Sequence, residues 1–492
     1  MSLPLHASLR ASLHDIALPF GDDPAELGSA VDALLDTFGR PVTLLGLGEP
    51  THGEEAFPRL RNQMLTHLVR HHGYRSVAIE SDCLAAATVD DYVTTGTGDL
   101  EAVLATGFSH GFGASPANRE LVEWLRDHNA GRAPEQRVRF HGFDAPLEMT
   151  ATPSPRATLL AAHAYLAEHL PAHRVPHAMD EIDALLGDDG AWSNPAALMD
   201  STQSVGDTPQ ARTLRLMADD VLTVYETHAP TLRQATSDLA FDRAHAQART
   251  AKGLLRYHAA MASSAPDRVA FMLGLRDVMM ADNLLAIATA EARRGPCLIF
   301  AQNTHLQRHQ SSWELAGMDL RWWSAGALTA ASVLGDRYAF VATGFAEGAE
   351  DEAKAGDDAE TSDALKAGGA VNASDEANAS NAVNTSDAVN TSDAVNAGNE
   401  ANGSDAMNAG NAANTGNEAN ASDATGELDL HRALTEATRG GQGFFPAAPL
   451  AAVLADRKDL RARTDAARPG YFPLDPAHLD GMDAVAFLKA RG

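Results

Sequence analysis

The feature that most constrains the fold of this chain is a repeated alternation of short apolar runs with amphipathic helical segments. The short runs lie at 42–47, 76–79, 138–142, 297–301 and 337–343. Between the first two runs, apolar residues from Phe57 to Leu68 recur every three or four positions, which predicts a helix. Strands that alternate with helices in this way predict an α/β fold with a mostly parallel sheet flanked by helices.

Two regions interrupt the predicted α/β core. Residues 151–265 carry helical periodicity and no strand pattern, so we predict an inserted all-helical subdomain. Residues 349–426 repeat variants of NASDEAN and NTSDAV and contain almost no large apolar side chains. Such a segment cannot bury enough surface to offset the entropy of ordering its backbone, so we predict a long disordered insertion. The core itself is predicted to consist of 1–150, 266–348 and 427–492.

Net charge and apolar content exclude several classes of protein. The formal charge of −28 argues against nucleic-acid binding, which needs a basic surface, and disfavours docking on an anionic membrane. The chain shows no signal-peptide pattern and no apolar run of the ~20 residues that span a bilayer. Cys83 and Cys297 are too few for a disulfide framework and are expected to be small core residues. We expect a soluble, cytoplasmic protein.

Polar side chains follow four of the predicted strands. In an open parallel sheet, ligands bind beyond the carboxyl ends of the strands. The residues that come at or just after those ends are Glu49, His52, Glu80, Asp144, Asn303 and His305. Because the carboxyl ends of parallel strands meet at one edge, these side chains are predicted to form a common site.

His52 is the leading candidate for a general base. It lies on a glycine-flanked turn before a helix, and a neutral imidazole there can take a proton from water near pH 7. Glu49 is placed to orient it. The alternatives are structural: His52 could cap the helix, Glu80 could belong to an ion pair, and His305 could be an ordinary turn residue.

Two arginines lie within reach of the same predicted edge. Helical side chains lean towards the helix N-terminus, so Arg61 can reach back to the turn that carries His52. Arg276 can do the same from a later helix. A fixed guanidinium could bind a substrate carbonyl or hold a catalytic glutamate, and the alternative is a solvated or salt-bridged arginine.

Other catalytic and cofactor motifs are missing from the sequence. It contains no GxSxG elbow, no GxGxxG fingerprint and no GxxxxGK[ST] loop. In the segment HLVRHH a helix would place His67 and His71 on one side, which invites a metal site. No glutamate of the HExxH kind lies between them, so we predict neither a metal nor another cofactor.

Five segments of the chain resemble the erythromycin esterase family. The longest is LGLGEPTHGEEAFPRLRNQMLTHLVRHHGYRSVAIESD, which is similar to the opening strand, Gly-Glu-x-x-His turn, helix and glutamate-ending strand of that family. The others are LVEWLRDHN, GFDAP, RDVMMADNL and AQNTHLQRH. The resemblance covers most of the chain apart from the Asn/Ala-rich insertion.

The resemblance implies a parallel-sheet core and metal-independent hydrolysis of an ester, with the macrolactone of erythromycin-like antibiotics as the namesake substrate. By matching motifs, His52 would activate water, assisted by Glu49 and Glu80. The resemblance further implies that the carbonyl and its developing charge would be bound by Arg61, Arg276 and His305. We assign substrate binding to His110, Asp144 and Asn303.

The sequence departs from the family pattern at two places. An expected aromatic-rich segment is GFSHGFGASP here, and Gln302 stands where the family has a histidine. Two other functions remain open. One is a metal-dependent hydrolase that uses Glu49, His52, Glu80 and His305 as ligands. The other is a non-catalytic protein that binds a small ligand.

Overall fold

The computed structural model describes residues 3–148, 152–315, 317–345, 430–438, 441–455 and 474–489, all of which belong to one compact unit. The predicted disordered insertion at 349–426 lies outside the described residues. No helix within the described ranges is both long enough and apolar enough to cross a membrane.

A central sheet of eight strands organises the described chain. The ten strands, in chain order, are β1 (Leu18–Phe20), β2 (Leu44–Glu49), β3 (Ser76–Asp82), β4 (Arg139–Asp144), β5 (Cys297–Gln302), β6 (Gln310–Leu315), β7 (Met318–Trp323), β8 (Tyr338–Phe345), β9 (Gln442–Pro446) and β10 (Ala484–Leu488). The sheet has the order β1-β9-β10-β8-β2-β5-β3-β4. Neighbours from β10 to β4 pair in parallel, whereas β9 pairs antiparallel with both β1 and β10. The predicted α/β class with a mostly parallel sheet is confirmed.

Helices connect most of these strands. Before β5 they are α1 (Leu3–Ile16), α2 (Pro24–Phe38), α3 (Ala56–His71), α4 (Ala86–Thr95), α5 (Leu100–Thr106), α6 (Pro116–Asn129), α7 (Arg156–His169), α8 (Met179–Leu186), α9 (Asp189–Trp192), α10 (Pro209–Ala235), α11 (Asp238–Met261) and α12 (Arg268–Glu291). After β5 they are α13 (Asn303–Leu306), α14 (Ala325–Ala330), α15 (Leu430–Ala437) and α16 (Ala447–Leu454).

Alternating side chains of the strands build two cores, one on each face of the sheet. Leu45 and Leu47 of β2 point to the face covered by α2 and α3, where they join a cluster that includes Leu34. Leu44 points to the opposite face, which α12 covers with residues such as Met280. Because both faces are buried, β2 is apolar from Leu44 to Gly48, as strands inside parallel sheets are.

In the described residues between β4 and β5, all regular secondary structure is helical. These helices have their own hydrophobic core around Leu214, Val221 and Tyr225. Thr208 begins α10 by accepting a hydrogen bond from the backbone N–H of Ala211 on its side-chain oxygen, as the Thr-Pro pair predicts. The predicted helical insertion between two strands of the sheet is therefore present. The exact division at 151–265 stays a prediction.

Several elements differ from what the sequence pattern indicates. The antiparallel hairpin of β6 and β7 was not predicted, because β6 alternates exposed and less exposed residues without an apolar run. The sequence pattern predicts a helix from Arg276 to Arg293, whereas α12 begins eight residues earlier, at Arg268. The guanidinium of Arg268, the first residue of α12, donates to the backbone carbonyls of Ala197 and Met261, contacts that the local sequence pattern does not encode.

Gly48 lies where β2 meets the turn after β5, and we expect Gly48→Ala to destabilise the fold. A Cβ at this position would overlap Oδ1 of Asn303, whose amide is tied to the backbone of Thr343 in β8 and cannot move freely. Overpacking of this kind costs about 1–3 kcal/mol in the free energy of unfolding, measurable by urea denaturation. The matched control is Gly274→Ala in α12, where the new Cβ would meet Trp322 at 3.7 Å. A Gly48→Ala protein as stable as the control would contradict the prediction.

Candidate active site

Acidic side chains lie at or near the carboxyl ends of three of the parallel strands. Glu49 ends β2, Glu80 lies near the end of β3 and Asp144 ends β4. Strand β5 lies between β2 and β3, and the turn after it carries His305. The structure therefore brings residues from four strand ends to one edge of the sheet.

A register irregularity in β3 aims Glu80 at this edge. Ile79 pairs with Gly142 and Asp82 with Asp144, so β3 has one residue more than β4 between the two pairs. An extra residue of this kind bends a strand and redirects side chains. Glu80 comes directly after the last regular pair.

Among the predicted site residues, His52 has the most exposed side chain. Its Nδ1 lies 2.7 Å from Oε1 of Glu49, and its Nε2 lies 3.7 Å from Oε1 of Glu80. The side chain is 40% exposed, whereas both carboxylates are buried. Burial favours the neutral ring, but the negative charge of Glu80 and the hydrogen bond to Glu49 outweigh it and raise the pKa of His52 to about 9. Burial also raises the pKa of Glu49, against the opposing hydrogen bond from His52.

Glu80 is the centre of the cluster. Its Oε1 lies 3.1 Å from Nη2 of Arg276 and 3.3 Å from Nε2 of His305. Its Oε2 accepts a 2.8 Å hydrogen bond from the backbone N–H of Gln302. Burial opposes ionisation of this carboxyl, yet the positive charges of His305, His52 and Arg276 lower its pKa. Glu80 is therefore an anion that three basic side chains share.

Arg276 is held by two carboxylates. Nε and Nη2 donate to the two oxygens of Asp144 at 3.0 and 2.6 Å, in addition to the contact with Glu80. Burial disfavours its charge, but Asp144 and Glu80 raise the pKa of Arg276. Burial likewise opposes ionisation of Asp144, and Arg276 and His110 lower the pKa of that carboxyl. Arg276 thus contacts a glutamate, and its predicted role towards a substrate carbonyl stays a prediction.

His110 approaches the cluster from the segment that departs from the family pattern. Its Nε2 lies 3.0 Å from Asp144 and its Nδ1 lies 2.9 Å from Glu148. Its backbone has a φ of +56°, which only a few non-glycine residues adopt. Phe112 then lies between the two histidines, with its ring 5.2 Å from that of His52 and 5.6 Å from that of His110.

Asp277 is a site residue that sequence reasoning missed. It is fully buried, and its Oδ1 lies 2.9 Å from Nδ1 of His305. The same carboxylate accepts hydrogen bonds from Nε1 of Trp322 at 2.6 Å and from the backbone N–H of Ala325 at 2.8 Å. Burial lowers the pKa of His305, but Asp277 and Glu80 outweigh that effect and raise it. The available signal was an acidic residue directly after Arg276, next to the apolar run VMM, since buried acids are rare unless paired.

We expect Asp277→Asn to impair hydrolysis without touching the groups nearest to His52. An amide at this position no longer supplies the negative charge that keeps His305 protonated and oriented. In the Ser-His-Asp triad, replacing the acid that orients the histidine by an amide lowers kcat by about 10⁴-fold, and we expect a fall of at least about 10-fold here. The measurement is steady-state kinetics over a range of pH. A merely structural role would change stability alone and leave the pH profile unchanged, and that result would contradict the prediction.

Two of the predicted residues are enclosed by protein. Arg61 is buried, its guanidinium donating to Oδ1 of Asn62 and lying 4.9 Å from the ring centre of Phe300. Burial lowers the pKa of Arg61 to about 10, although Glu49 opposes the shift. Asn303 is also buried, and both ends of its amide are bonded to the backbone of Thr343. Neither residue shows a polar group directed to solvent, and their predicted contacts with substrate stay predictions.

A surface groove of about 260 Å³ lies elsewhere, lined by residues that include His309, Trp323 and His478. None of the clustered residues lines it. Solvent reaches the cluster at the exposed side chain of His52, whereas the carboxylates of Glu49 and Glu80 next to it are buried.

Comparison with known proteins gives the family. The family model for erythromycin esterase matches residues 69–394, which is more than half of the chain. The chain belongs to the erythromycin esterase family. The matched span contains Glu80, Arg276 and His305 and begins after His52. No curated protein matches the sequence significantly.

Three solved structures are similar to this chain. A crystal structure of a Bacillus cereus protein is 15% identical, with a TM-score of 0.62, and the match covers 98% of this chain and 97% of that one. A mutant of an erythromycin esterase in its open conformation is 19% identical, with a TM-score of 0.47, 66% of this chain and 74% of that one being covered. A succinoglycan biosynthesis protein is 17% identical over 70% and 76% of the two chains, with a TM-score of 0.48.

Proposed function

We propose that this member of the erythromycin esterase family hydrolyses a carboxylic ester or lactone, with a macrolide-type lactone as the substrate class. Water activated by His52 attacks the carbonyl directly, without a covalent intermediate. The observation that carries the proposal is the placement of an exposed imidazole between Glu49 and Glu80, above a buried cluster of paired charges. The partner is a small molecule, and the cytoplasm remains its expected location.

The two sides of the His52 ring have different tasks in this proposal. Glu49 accepts the hydrogen bond from Nδ1–H and thereby keeps the lone pair of the neutral ring on Nε2. Nε2 takes a proton from the attacking water, and the imidazolium that forms is stabilised by the negative charge of Glu80. Later the same proton is given to the leaving alkoxide, so His52 ends each turnover as it began.

The tetrahedral intermediate places negative charge on the former carbonyl oxygen. Arg276 and protonated His305 are the cations that surround Glu80, and in the proposal their field stabilises that oxygen. Both are held in place before substrate binds, by Asp144 and Asp277 respectively. Preorganised groups of this kind need no rearrangement during the reaction. In the proposal Arg61 has an electrostatic role next to Glu49, and the contact of Asn303 with substrate stays a prediction.

A metal-dependent mechanism at the same residues is less compatible with the charge distribution. Its proposed ligands include Glu80 and His305, yet the guanidinium of Arg276 already lies 3.1 Å from Oε1 of Glu80. A divalent cation at that oxygen would be repelled by a fixed positive charge at close range.

The test is mass spectrometry of a panel of macrolides and simple lactones after incubation with the protein. We expect a product heavier than its substrate by one water, formed at an unchanged rate after treatment with a chelator. Loss of product on chelation would instead support the metal-dependent mechanism. Saturable binding without any product from the panel would support a binding protein and overturn the proposed hydrolase.

A further inference from the structure

A second cluster of ionisable side chains lies on the surface, away from the proposed active site. Asp32 belongs to α2, His67 to the last turns of α3, and His72 directly follows α3. Nε2 of His67 and Nε2 of His72 each lie 2.6 Å from the same oxygen, Oδ1 of Asp32. Two imidazoles from one helix end thus converge on a carboxylate from a neighbouring helix.

The sequence pattern alone indicates a different pair. Helical spacing places His67 next to His71, and their rings do lie 4.6 Å apart. The side chain that joins His67 at the carboxylate is nevertheless His72, because the backbone leaves the helix there and turns its ring towards α2. One group of three potential metal ligands is found among the described residues, with donor atoms that all lie within 4.8 Å of one another. It consists of Asp32, His67 and His72.

The position of the His67 ring is set by α2. A Cβ at Gly28 would lie 2.7 Å from Nδ1 of His67, so the glycine leaves room for the ring to pack against α2. His67 is 17% exposed, and its Nε2 is the nitrogen directed at Asp32. Packing against α2 therefore already holds the ring of His67 in place.

We propose that Asp32, His67 and His72 bind a divalent transition-metal ion of the Zn²⁺ class. Two imidazole nitrogens and one carboxylate oxygen form a donor set that suits Zn²⁺ and disfavours Mg²⁺ and Ca²⁺, which prefer oxygen ligands. Three protein ligands leave a fourth position for water. The ion also suits its place at the end of α3, where the helix dipole and the free carbonyls attract positive charge.

Only a small adjustment is needed to admit the ion. With metal–ligand bonds of about 2.0–2.1 Å, ligand atoms of a tetrahedral site lie about 3.3 Å apart. The present separations of 2.6 Å must therefore widen by ~0.7 Å, in keeping with that geometry. The side chain of Asp32 is 51% exposed and can rotate to provide this space.

The site is remote from the proposed chemistry. His52 precedes α3 and His72 follows it, and α3 has 16 residues, so the two ends are about 24 Å apart along the helix axis. The bound ion would connect α2 to the end of α3 and stabilise the folded state, since it binds a site that the unfolded chain lacks.

The experiment is a titration of the full-length, chelator-treated protein with Zn²⁺ alone, in competition with a chromophoric chelator. The wild-type protein should bind one ion at least ~10-fold more tightly than a variant that combines Asp32→Asn with His72→Gln. His71→Gln is the matched control, because it removes an adjacent exposed histidine outside the ligand set. It should bind as the wild type does. Zn²⁺ should also raise the Tm of the wild type by about 2 °C or more.

Equal affinity and stoichiometry in the wild type and the double variant would overturn the proposal, because the ion would then be held by other histidines. An equal loss in His71→Gln would overturn the ligand assignment. Circular dichroism and the Tm in chelator establish that each protein is folded. If the double variant unfolds, the single variant His72→Gln is used in its place, because His72 lies at a half-buried position beyond the helix. The same loss of Zn²⁺ affinity is expected.

Discussion

Replacing His52 by glutamine is expected to lower kcat/KM for ester hydrolysis by about 10³-fold, within the 10²–10⁴-fold that a general base contributes. Glutamine retains a polar group that can donate to Glu49 but cannot take a proton from water. The assay is product formation with the best substrate of the macrolide and lactone panel, followed by mass spectrometry. A rate within a few-fold of the wild type would exclude His52 as the base.

The same variant has to keep its fold for the result to bear on catalysis. The His52 side chain is 40% exposed and lies in a turn, so its replacement should change the free energy of unfolding by no more than about 1 kcal/mol. Urea denaturation followed by circular dichroism measures this change. His71→Gln is a suitable control, because it removes a second exposed histidine at the far end of α3 and should leave hydrolysis unaffected.

Replacing Glu80 by glutamine is expected to change both the rate and its dependence on pH. In the wild type the raised pKa of His52, about 9, means that the neutral base becomes more abundant as the pH rises towards that value. The rate should therefore increase with pH up to about 9. The negative charge of Glu80 is the main influence that raises this pKa, so Glu80→Gln should shift the increase to lower pH.

The rate at its optimum should fall as well, because the variant loses the anion that stabilises the imidazolium and holds Arg276 and His305. Removing one member of a buried ionic cluster costs about 3–5 kcal/mol of stability, so denaturation is measured alongside kinetics. Glu101→Gln is the control, since Glu101 pairs with Arg119 on the surface. It should leave the pH profile and the rate unchanged. An unshifted profile in folded Glu80→Gln would show that Glu80 does not control the proton on His52.

The relation between the two predictions comes from the geometry of one imidazole. Glu49 contacts Nδ1 and governs the tautomer, whereas Glu80 faces Nε2 and governs the charge. The His52 variant removes the base itself, and the Glu80 variant alters its pKa. Together they separate the identity of the base from its environment.

Sequence reasoning reached the α/β class and the strand ends because local patterns encode them. An apolar run such as Cys297 to Ala301 is typical of a strand that a parallel sheet buries on both faces, and the polar residue that follows it is then expected at the edge of the sheet. The same logic found Glu80 and His305 without knowledge of their neighbours. Local capping chemistry likewise identified the start of α10 at Thr208.

The order of the strands was beyond local patterns. Strand β5 pairs with both β2 and β3, although more than 200 residues separate it from either strand in the chain. The hydrophobic pattern of a strand does not indicate which strands pair with it, because pairing depends on the packing of the whole sheet. The hairpin of β6 and β7 was missed for a related reason, since its exposed residues carry no apolar signal.

The sequence by itself determined which residue types stand at strand ends, because hydrophobic period and turn chemistry are local properties of the chain. Only the tertiary structure decided their partners: Asp277 beneath His305, Arg276 between Asp144 and Glu80, and Asp32 against His67 and His72. The physical reason is that charge pairing and pKa depend on distances between atoms that are far apart in the chain. Those distances exist only once the sheet and its helices have packed.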